Sequence, residues 1–279
     1  MTRARGFMQV DVFTTTPYLG NPVAVVLDGL DLTVAQMQRV ASWTNLSETT
    51  FVLPPTTPAA DYRARIFTTS SELPFAGHPT LGTAHAFMTR SALTSGTIVQ
   101  ECGAGLVRVR RTEVGLALAA PPLVRSGPVD EDLVTEVLAF LDLERAAMAE
   151  ARWVDNGPGW VALRLNDAAR VLQVRPGLFP RVDCKVGVVG FYPPGSPQAY
   201  EVRAFCPGNG STWEDPVTGS LNASLAQWLV GTGQAQPPYV VSQGTALGRV
   251  GRVHIDQDAD GTIWVGGGTV TAVTGSIEI

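Results

Sequence analysis

The feature that most constrains the fold is an internal repeat, in which two stretches of the chain carry the same motifs in the same order. The first stretch runs from RIF (residues 65–67) through a loop to GHPTLGT (77–83), and the second from RAF (203–205) through a loop to EDPVTGS (214–220). The offset between the phenylalanines is 205 − 67 = 138, and between the prolines 216 − 79 = 137. A second motif pair, NPVAVVL (21–27) and GPGWVAL (157–163), gives 158 − 22 = 136.

Three landmarks at nearly one offset predict two homologous lobes of about 130 residues each. We expect residues 1–120 to form the first lobe and residues 121–267 the second, with a proline-rich linker at 121–128. The alternating segment 268–279 is predicted to return to the first lobe as a strand. The competing explanation is that Gly-Pro turns recur by chance in a chain with 29 Gly and 20 Pro.

Residue patterns within each lobe predict several strands and one well-formed helix after the motif loop. Runs rich in β-branched and aromatic residues predict strands at 8–13, 23–27, 50–53, 63–67, 97–101, 106–111, 153–154, 160–165, 186–191, 199–205 and 250–255. Apolar periodicity predicts helices at 33–44, 80–90, 131–141 and 217–230. We therefore predict an α+β fold with two pseudo-symmetric lobes, each a curled or barrel-like sheet around a central helix.

Composition and missing motifs narrow the functional classes. The net charge is −5 without a Lys/Arg block, so we expect no nucleic-acid partner. No apolar run suits a membrane span or a signal peptide, and three cysteines without CxxC spacing suggest reduced thiols, which together predict a cytoplasmic protein. Neither a dinucleotide-binding nor a P-loop motif occurs, and the three histidines lack metal-ligand spacing, so we expect no cofactor and no metal.

The two repeated helices begin near Pro79 and Pro216, a residue that is favoured at the first helical position. That placement predicts His78 and Asp215 as the N-cap residues. Because helix N-termini attract carboxylates, two such ends facing each other across an interlobe cleft would hold a small anionic substrate.

Small residues in the same motifs suit substrate contact. Gly77, Gly82 and Gly219 would let the backbone approach a ligand closely, and Thr83 and Ser220 would add hydroxyl groups.

Each of these polar residues also has a purely structural explanation. Asp215 suits a plain N-cap, His78 a hydrogen-bonded structural histidine, and Glu48 a solvated loop glutamate. Glu48 lies between a predicted helix and a predicted strand, where partial desolvation can raise the pKa of a carboxylate toward that of a general acid/base. Spacing alone leaves the choice open.

Four motifs resemble the PhzF-like family of phenazine biosynthesis: NLSETTFV (45–52), FAGHPTLG (75–82), EDPVTGS (214–220) and QGTALGR (243–249). Their order and length extend the resemblance over essentially the whole chain. The resemblance implies the diaminopimelate-epimerase fold, a homodimer, and an isomerase that needs neither cofactor nor metal. A family member isomerises trans-2,3-dihydro-3-hydroxyanthranilate.

Carried over by motif, the resemblance implies that Glu48 is the catalytic acid/base. It implies that His78 and Asp215 assist proton transfer and bind substrate. The remaining predicted substrate-binding residues are Ser47, Gly77, Thr83, Gly219 and Ser220. No cysteine stands at either helix start, so the two-thiol racemisation of diaminopimelate epimerase is not available.

Four departures from the family pattern leave the substrate open: Trp213, Leu221, Val250-Gly251 and Thr69. Trp213 and Leu221 are bulky and are expected to reshape the pocket, because pocket shape decides specificity.

The repeat also bears on mechanism. An offset of 137 from Glu48 leads to Lys185, so we expect no second carboxylate at the matching position. A single carboxylate suits a 1,3-proton shift better than a two-base stereoinversion. The alternatives are an amino-acid or hydroxy-acid racemase or epimerase, and a non-catalytic binding protein of the same fold.

Overall fold

The computed structural model describes residues 2–92, 96–181, 183–208 and 211–279. The chain divides into two compact units, of which the first comprises Met1–Ala119 with Gly266–Ile279 and the second comprises Ala120–Val265. Helices and strands are numbered below in chain order. Within the described ranges, no helix has the length and apolar character needed to cross a membrane.

The first unit is built from strands that surround one long helix. Its elements are β1 (Ala4–Val12), β2 (Asn21–Val26), α1 (Val34–Thr44), β3 (Thr49–Leu53), β4 (Tyr62–Phe67), β5 (Glu72–Leu73), α2 (Gly77–Arg90), β6 (Thr97–Cys102), β7 (Gly105–Thr112), β8 (Gly115–Ala119) and β18 (Thr269–Glu278). Helix α2 contacts β1, β2, β3, β4, β6, β8 and β18, so the strands curl around it. Most of its residues are buried.

The second unit repeats the same architecture. Its elements are β9 (Arg125–Pro128), α3 (Glu131–Phe140), β10 (Met148–Asp155), β11 (Trp160–Leu165), α4 (Ala168–Gln173), β12 (Lys185–Phe191), β13 (Tyr200–Gly208), β14 (Ser211–Asp215), α5 (Gly219–Gly231), β15 (Tyr239–Gln243), β16 (Gly251–Gln257) and β17 (Ile263–Gly267), which ends two residues beyond the division. Helix α5 is buried along most of its length.

Strand pairing is the same in both units. In the first, β1 pairs antiparallel with β18 and β2, β2 is parallel to β3, β3 pairs with β4, β4 with β5, and β4 is parallel to β6. In the second, β10 pairs with β9 and β11, β11 is parallel to β12, β12 pairs with β13, β13 with β14, and β13 is parallel to β15. The predicted α+β fold with two pseudo-symmetric lobes is confirmed.

Each unit has an apolar core of its own. In the first, Met37 and Ala41 of α1, four residues apart on one helical face, pack with Val26, Phe51 and Phe67. In the second, buried residues of α3, β11, β12 and β13 form one larger cluster. Burial of this apolar surface is the main driving force for folding in both units.

All of the predicted strands and all four predicted helices are confirmed, with ends that differ by several residues. The strands β5, β8, β9, β14, β15 and β17 and the short helix α4 were not predicted. The predicted linker at residues 121–128 is wrong in its second half, because Arg125–Pro128 forms β9 and pairs antiparallel with β10. Proline has no backbone N–H to donate, and it is tolerated at the end of a strand because no hydrogen bond between strands depends on that N–H.

The predicted helix starts are wrong at both motifs. Helix α2 begins at Gly77 with Ala76 as its N-cap, so His78 is the second helical residue and Pro79 the third. Proline is tolerated there because none of the first N–H groups of a helix has an intrahelical partner. Helix α5 begins at Gly219 with Thr218 as its N-cap, because β14 keeps the chain extended as far as Asp215.

Candidate functional site

Glu48 is held in a short turn between α1 and β3. Asn45 ends α1 in the left-handed conformation with φ 55°, which turns the chain out of the helix. The Thr44 and Thr49 hydroxyl groups, 2.8 Å apart, close the turn, and the Glu48 carbonyl accepts a hydrogen bond from Ala24 N–H of β2. The backbone at Glu48 is therefore fixed from both sides, while its side chain is 14% exposed.

Glu48 and His78 come together in the first unit. The Oε2 atom of Glu48 lies 3.5 Å from Nδ1 of His78, whose side chain is only 4% exposed. Burial lowers the pKa of His78 to about 3, against a smaller opposite effect of a hydrogen bond to the Pro22 carbonyl. The imidazole is therefore neutral at pH 7 and contacts Glu48 as a polar group without charge. Its buried Nε2 atom has no hydrogen-bond partner among the described residues.

Buried hydrogen bonds fix the start of α2 relative to the strands. Gln100 of β6 donates to the Thr80 hydroxyl at 2.9 Å and accepts from the Tyr62 hydroxyl at 3.0 Å. The Thr83 hydroxyl lies 2.7 Å both from Thr50 Oγ1 and from the Pro79 carbonyl. These contacts join the helix turn that carries His78 to the strand that follows Glu48.

Two residues predicted to contact the substrate are closely packed within the first unit. Thr83 is fully buried, and its hydroxyl makes a hydrogen bond to Thr50 within the first unit. Gly82 is covered by β2, because a Cβ atom there would lie 2.2 Å from Cγ1 of Val23. Ser47 is half-buried in the turn before Glu48, and Gly77 is buried as the first residue of α2.

Asp215 belongs to a buried polar network in the second unit. Its Oδ2 atom accepts a hydrogen bond from the Thr218 hydroxyl at 2.6 Å. Gln243 donates to the Asp215 carbonyl and to Thr218 Oγ1, and accepts from Thr218 N–H and from the Asn222 side-chain amide. Gln243 thus uses all of its hydrogen-bonding groups to fix the end of β14 against the first turn of α5.

Ser220, rather than Asp215, occupies the position that matches His78. The N-caps Ala76 and Thr218 give an offset of 218 − 76 = 142, which pairs His78 with Ser220 and Gly77 with Gly219. The Trp160 indole N–H donates to Ser220 Oγ at 3.0 Å, which leaves the hydroxyl proton of Ser220 available as a donor.

A longer hairpin in the second unit explains why the offset changes. Phe67 pairs with Glu72 and Phe205 with Glu214, so the hairpins span 72 − 67 = 5 and 214 − 205 = 9 residues. In both units, an arginine two residues before the phenylalanine binds the matching glutamate through two hydrogen bonds. The four extra residues account for the change from 138 to 142.

The same correspondence shows that the polar residues are not symmetric. With offset 142, Asp215 matches Leu73, the last residue of β5. Strand β3 begins at Thr49, which pairs with Ala24 of β2, and the matching strand β12 begins at Lys185, which pairs with Trp160 of β11. Thr49 therefore matches Lys185, and the residue before each, Glu48 and Cys184, also match. The predicted match with Lys185 was therefore one residue off.

Comparison with known proteins decides the family. The family model described as phenazine biosynthesis-like protein matches residues 10–275. The chain is 33% identical over 261 residues to the trans-2,3-dihydro-3-hydroxyanthranilate isomerase of Pseudomonas aeruginosa, with 91% of each protein covered. It is 36% identical over 290 residues to antisense-enhancing sequence 1 of Schizosaccharomyces pombe, with 96% of this chain and 97% of the relative covered.

The chain belongs to the phenazine biosynthesis-like protein family. Its fold is shared with a PhzF-family protein of Bacillus anthracis, with a TM-score of 0.81, 22% identity and coverage of 99% and 100% of the two chains. Like the Pseudomonas aeruginosa relative, the chain is an isomerase.

Two departures from the phenazine biosynthesis-like pattern have different structural consequences. Leu221 is fully buried, and a Cβ atom at Gly187 of β12 would lie 2.6 Å from its Cδ1 atom. The absence of a side chain at Gly187 therefore makes room for Leu221 inside the unit, contrary to the expectation that Leu221 reshapes the pocket. Trp213 is 43% exposed and lies two residues before Asp215 in β14, hence on the same face of that strand.

Gln100 and Gln243 are the residues that sequence reasoning missed. Both are fully buried, and each bonds the side chain four residues after the helix N-cap, namely Thr80 and Asn222. Gln243 begins the QGTALGR motif, which is the one signal that pointed to it.

The described residues hold no group of three or more His, Cys, Asp and Glu side chains close enough to bind a metal ion. Each unit has its own set of candidate polar residues. In the first unit these are Glu48 and His78, and in the second Asp215 and Ser220.

Proposed function

We propose that this isomerase catalyses an intramolecular 1,3-proton shift on a small carboxylate-bearing substrate, with Glu48 as general acid/base. The observation that carries the proposal is the pair formed by Glu48 and a neutral His78, whose side chains are 14% and 4% exposed. A partly desolvated carboxylate next to a hydrogen-bonding imidazole suits proton abstraction from carbon. The 33% identity to a dihydro-hydroxyanthranilate isomerase supports a substrate of that kind.

In this proposal Glu48 removes a proton from a carbon next to a double bond and returns it to the far end of the same π system. The double bond moves by one position while atoms and charge balance within the substrate. His78, neutral at pH 7, donates or accepts a hydrogen bond without competing for the proton, because its pKa is about 3. By family resemblance, Asp215 and Ser220 are proposed to bind the polar groups of the substrate.

The asymmetry between the units favours a single acid/base over a two-base racemase. Cys184, which matches Glu48, is 1% exposed, and burial raises the pKa of its thiol to about 11. A neutral buried thiol is a poor base at pH 7. Cys184 is therefore not a second base at the position that matches Glu48, which favours the single acid/base of the proposal.

The test is to incubate the protein in D2O with trans-2,3-dihydro-3-hydroxyanthranilate and a panel of amino and hydroxy acids, followed by proton NMR. We expect an unsaturated carboxylate to be converted, with its double bond moved by one position. Deuterium at the carbon that receives the proton would measure how far the Glu48 carboxyl exchanges its proton with D2O before returning it. Deuterium only at the α-carbon of an amino or hydroxy acid, with loss of optical activity, would contradict the proposed reaction.

A further inference from the structure

A cavity of about 300 Å³ lies in the first unit, and the residues that line it include neither Glu48 nor His78. The second half of α2 contributes His85 and Thr89, the β7–β8 hairpin contributes Arg111 and Leu116, and the start of β18 contributes Thr269. His85 follows His78 by seven residues, which is about 10 Å along a helix at 1.5 Å per residue. The cavity is therefore separate from the candidate active site but borders the same helix.

The cavity wall carries a single type of charge. Among the described residues that line it, none is Asp or Glu, whereas Arg111 supplies a guanidinium group. Burial, and to a smaller extent the charge of Arg111, lower the pKa of His85, so the imidazole is neutral at pH 7. The chain as a whole has a net charge of −5, so this cationic cavity is a local exception.

His85 contacts two threonine hydroxyl groups of β18, of which that of Thr269 lines the cavity. Its Nδ1 atom lies 2.9 Å from Thr269 Oγ1, and its Nε2 atom lies 2.8 Å from Thr271 Oγ1. A neutral imidazole donates from one nitrogen and accepts at the other. In the tautomer with the proton on Nδ1, the imidazole donates to Thr269, and the hydroxyl proton of Thr269 is left for a ligand in the cavity.

The backbone around the cavity is closely packed. Gly115 has φ +149°, and a Cβ atom there would lie 2.1 Å from the Gly267 carbonyl oxygen. A Cβ atom at Gly268 would lie 2.6 Å from the Thr14 carbonyl oxygen. Because these segments touch through their backbones, this part of the wall is preformed, and little ordering entropy is lost when a ligand binds.

We propose that this cavity binds a small organic carboxylate. The guanidinium of Arg111 would pair with the carboxylate, since planar two-point contact is the preferred geometry of that pair. The hydroxyl of Thr269 would donate a further hydrogen bond, and Leu116 and Val270 would contact the apolar part of the ligand. The volume is at the lower end for small-molecule sites, which limits the ligand to about ten non-hydrogen atoms.

The experiment is an NMR titration of the ¹⁵N-labelled protein with benzoate and, separately, with inorganic phosphate. The variants are Arg111→Gln, Arg111→Lys and the control Arg110→Gln, which removes the same charge from the opposite face of β7. We expect saturable benzoate shifts at His85, Gly115 and Thr269 in the wild type. Half-saturation should rise about tenfold or more in Arg111→Gln, less in Arg111→Lys, and not in Arg110→Gln.

Several outcomes would overturn the proposal. One is the absence of saturable shifts around His85 in a wild-type protein with a folded spectrum. A second is equal benzoate affinity in the wild type and in folded Arg111→Gln. A third is phosphate binding at the same residues as tightly as benzoate, which would show that the apolar contacts do not contribute and that the site is not one for organic carboxylates.

Discussion

Nδ1 of His78 lies 3.5 Å from Oε2 of Glu48, and the imidazole is neutral because burial lowers its pKa to about 3. The two residues are 30 positions apart in the chain (78 − 48 = 30) and come from the start of α2 and the turn before β3. They are held in place by buried hydrogen bonds, those of Thr83 with Thr50 and of Gln100 with Thr80. The contact is therefore a consequence of the packing of α2 against the strands of the first unit.

His78 should make the protein sensitive to acid. Its pKa is about 3 when folded and about 6.5 when unfolded, so between these values the unfolded chain binds more protons. Stability should therefore fall as the pH drops below about 6.5, by about 1 kcal/mol per pH unit from this group. Urea unfolding at pH 7 and pH 5 should show a smaller loss for His78→Gln than for the wild type. Equal losses in both proteins would contradict the assignment.

Gln243 should contribute strongly to the stability of the second unit. Gln243→Leu removes four hydrogen bonds, among them the one that Gln243 accepts from the buried Thr218 N–H, which should cost about 2–4 kcal/mol. The matched control is Gln257→Leu at an exposed position of β16, where a change within about 0.5 kcal/mol is expected. Urea denaturation measures both, and similar small effects would show that the network is dispensable.

Gly187 and Leu221 should be energetically coupled. Gly187→Ala places a Cβ atom 2.6 Å from Leu221 Cδ1 and should destabilise the protein by about 1–3 kcal/mol. In the double variant with Leu221→Ala, the alanine at 187 should cost less, because the clash is removed.

The control for this cycle is Gly177→Ala, where the nearest atom to the added Cβ is the Phe140 carbonyl oxygen at 3.6 Å. We expect that change to be nearly neutral. Additive effects of the Gly187 and Leu221 substitutions in the unfolding free energy would show that Gly187 does not accommodate Leu221.

The sequence predicted the repeat and the helices well, because both depend on periodic patterns that survive differences in loop length. It did not predict the helix starts, since proline suits the third helical position, as at Pro79, as well as the first. The match of His78 with Asp215 was wrong because the hairpin before α5 has four extra residues, which a constant offset cannot show.

The candidate site was predictable only in part. Glu48 and His78 were named from motifs, but no spacing rule brings residues from different elements within 3.5 Å. Gln100 was missed because a polar residue in a strand is usually one of the alternating residues that face solvent. Only the structure shows that Gln100 is buried. Thr83 was assigned to substrate because a hydroxyl in a first helical turn looks available until its partner Thr50 is seen.

The most direct test of the central claim is the rate at which substrate is converted, followed by proton NMR, with wild-type protein, Glu48→Gln and the exposed control Glu113→Gln. Glutamine keeps the size of the side chain but cannot take up the proton. We predict that Glu48→Gln stays folded and loses activity by about 10²-fold or more, while Glu113→Gln matches the wild type. Activity of folded Glu48→Gln equal to that of the wild type would contradict the role of Glu48 as the acid/base.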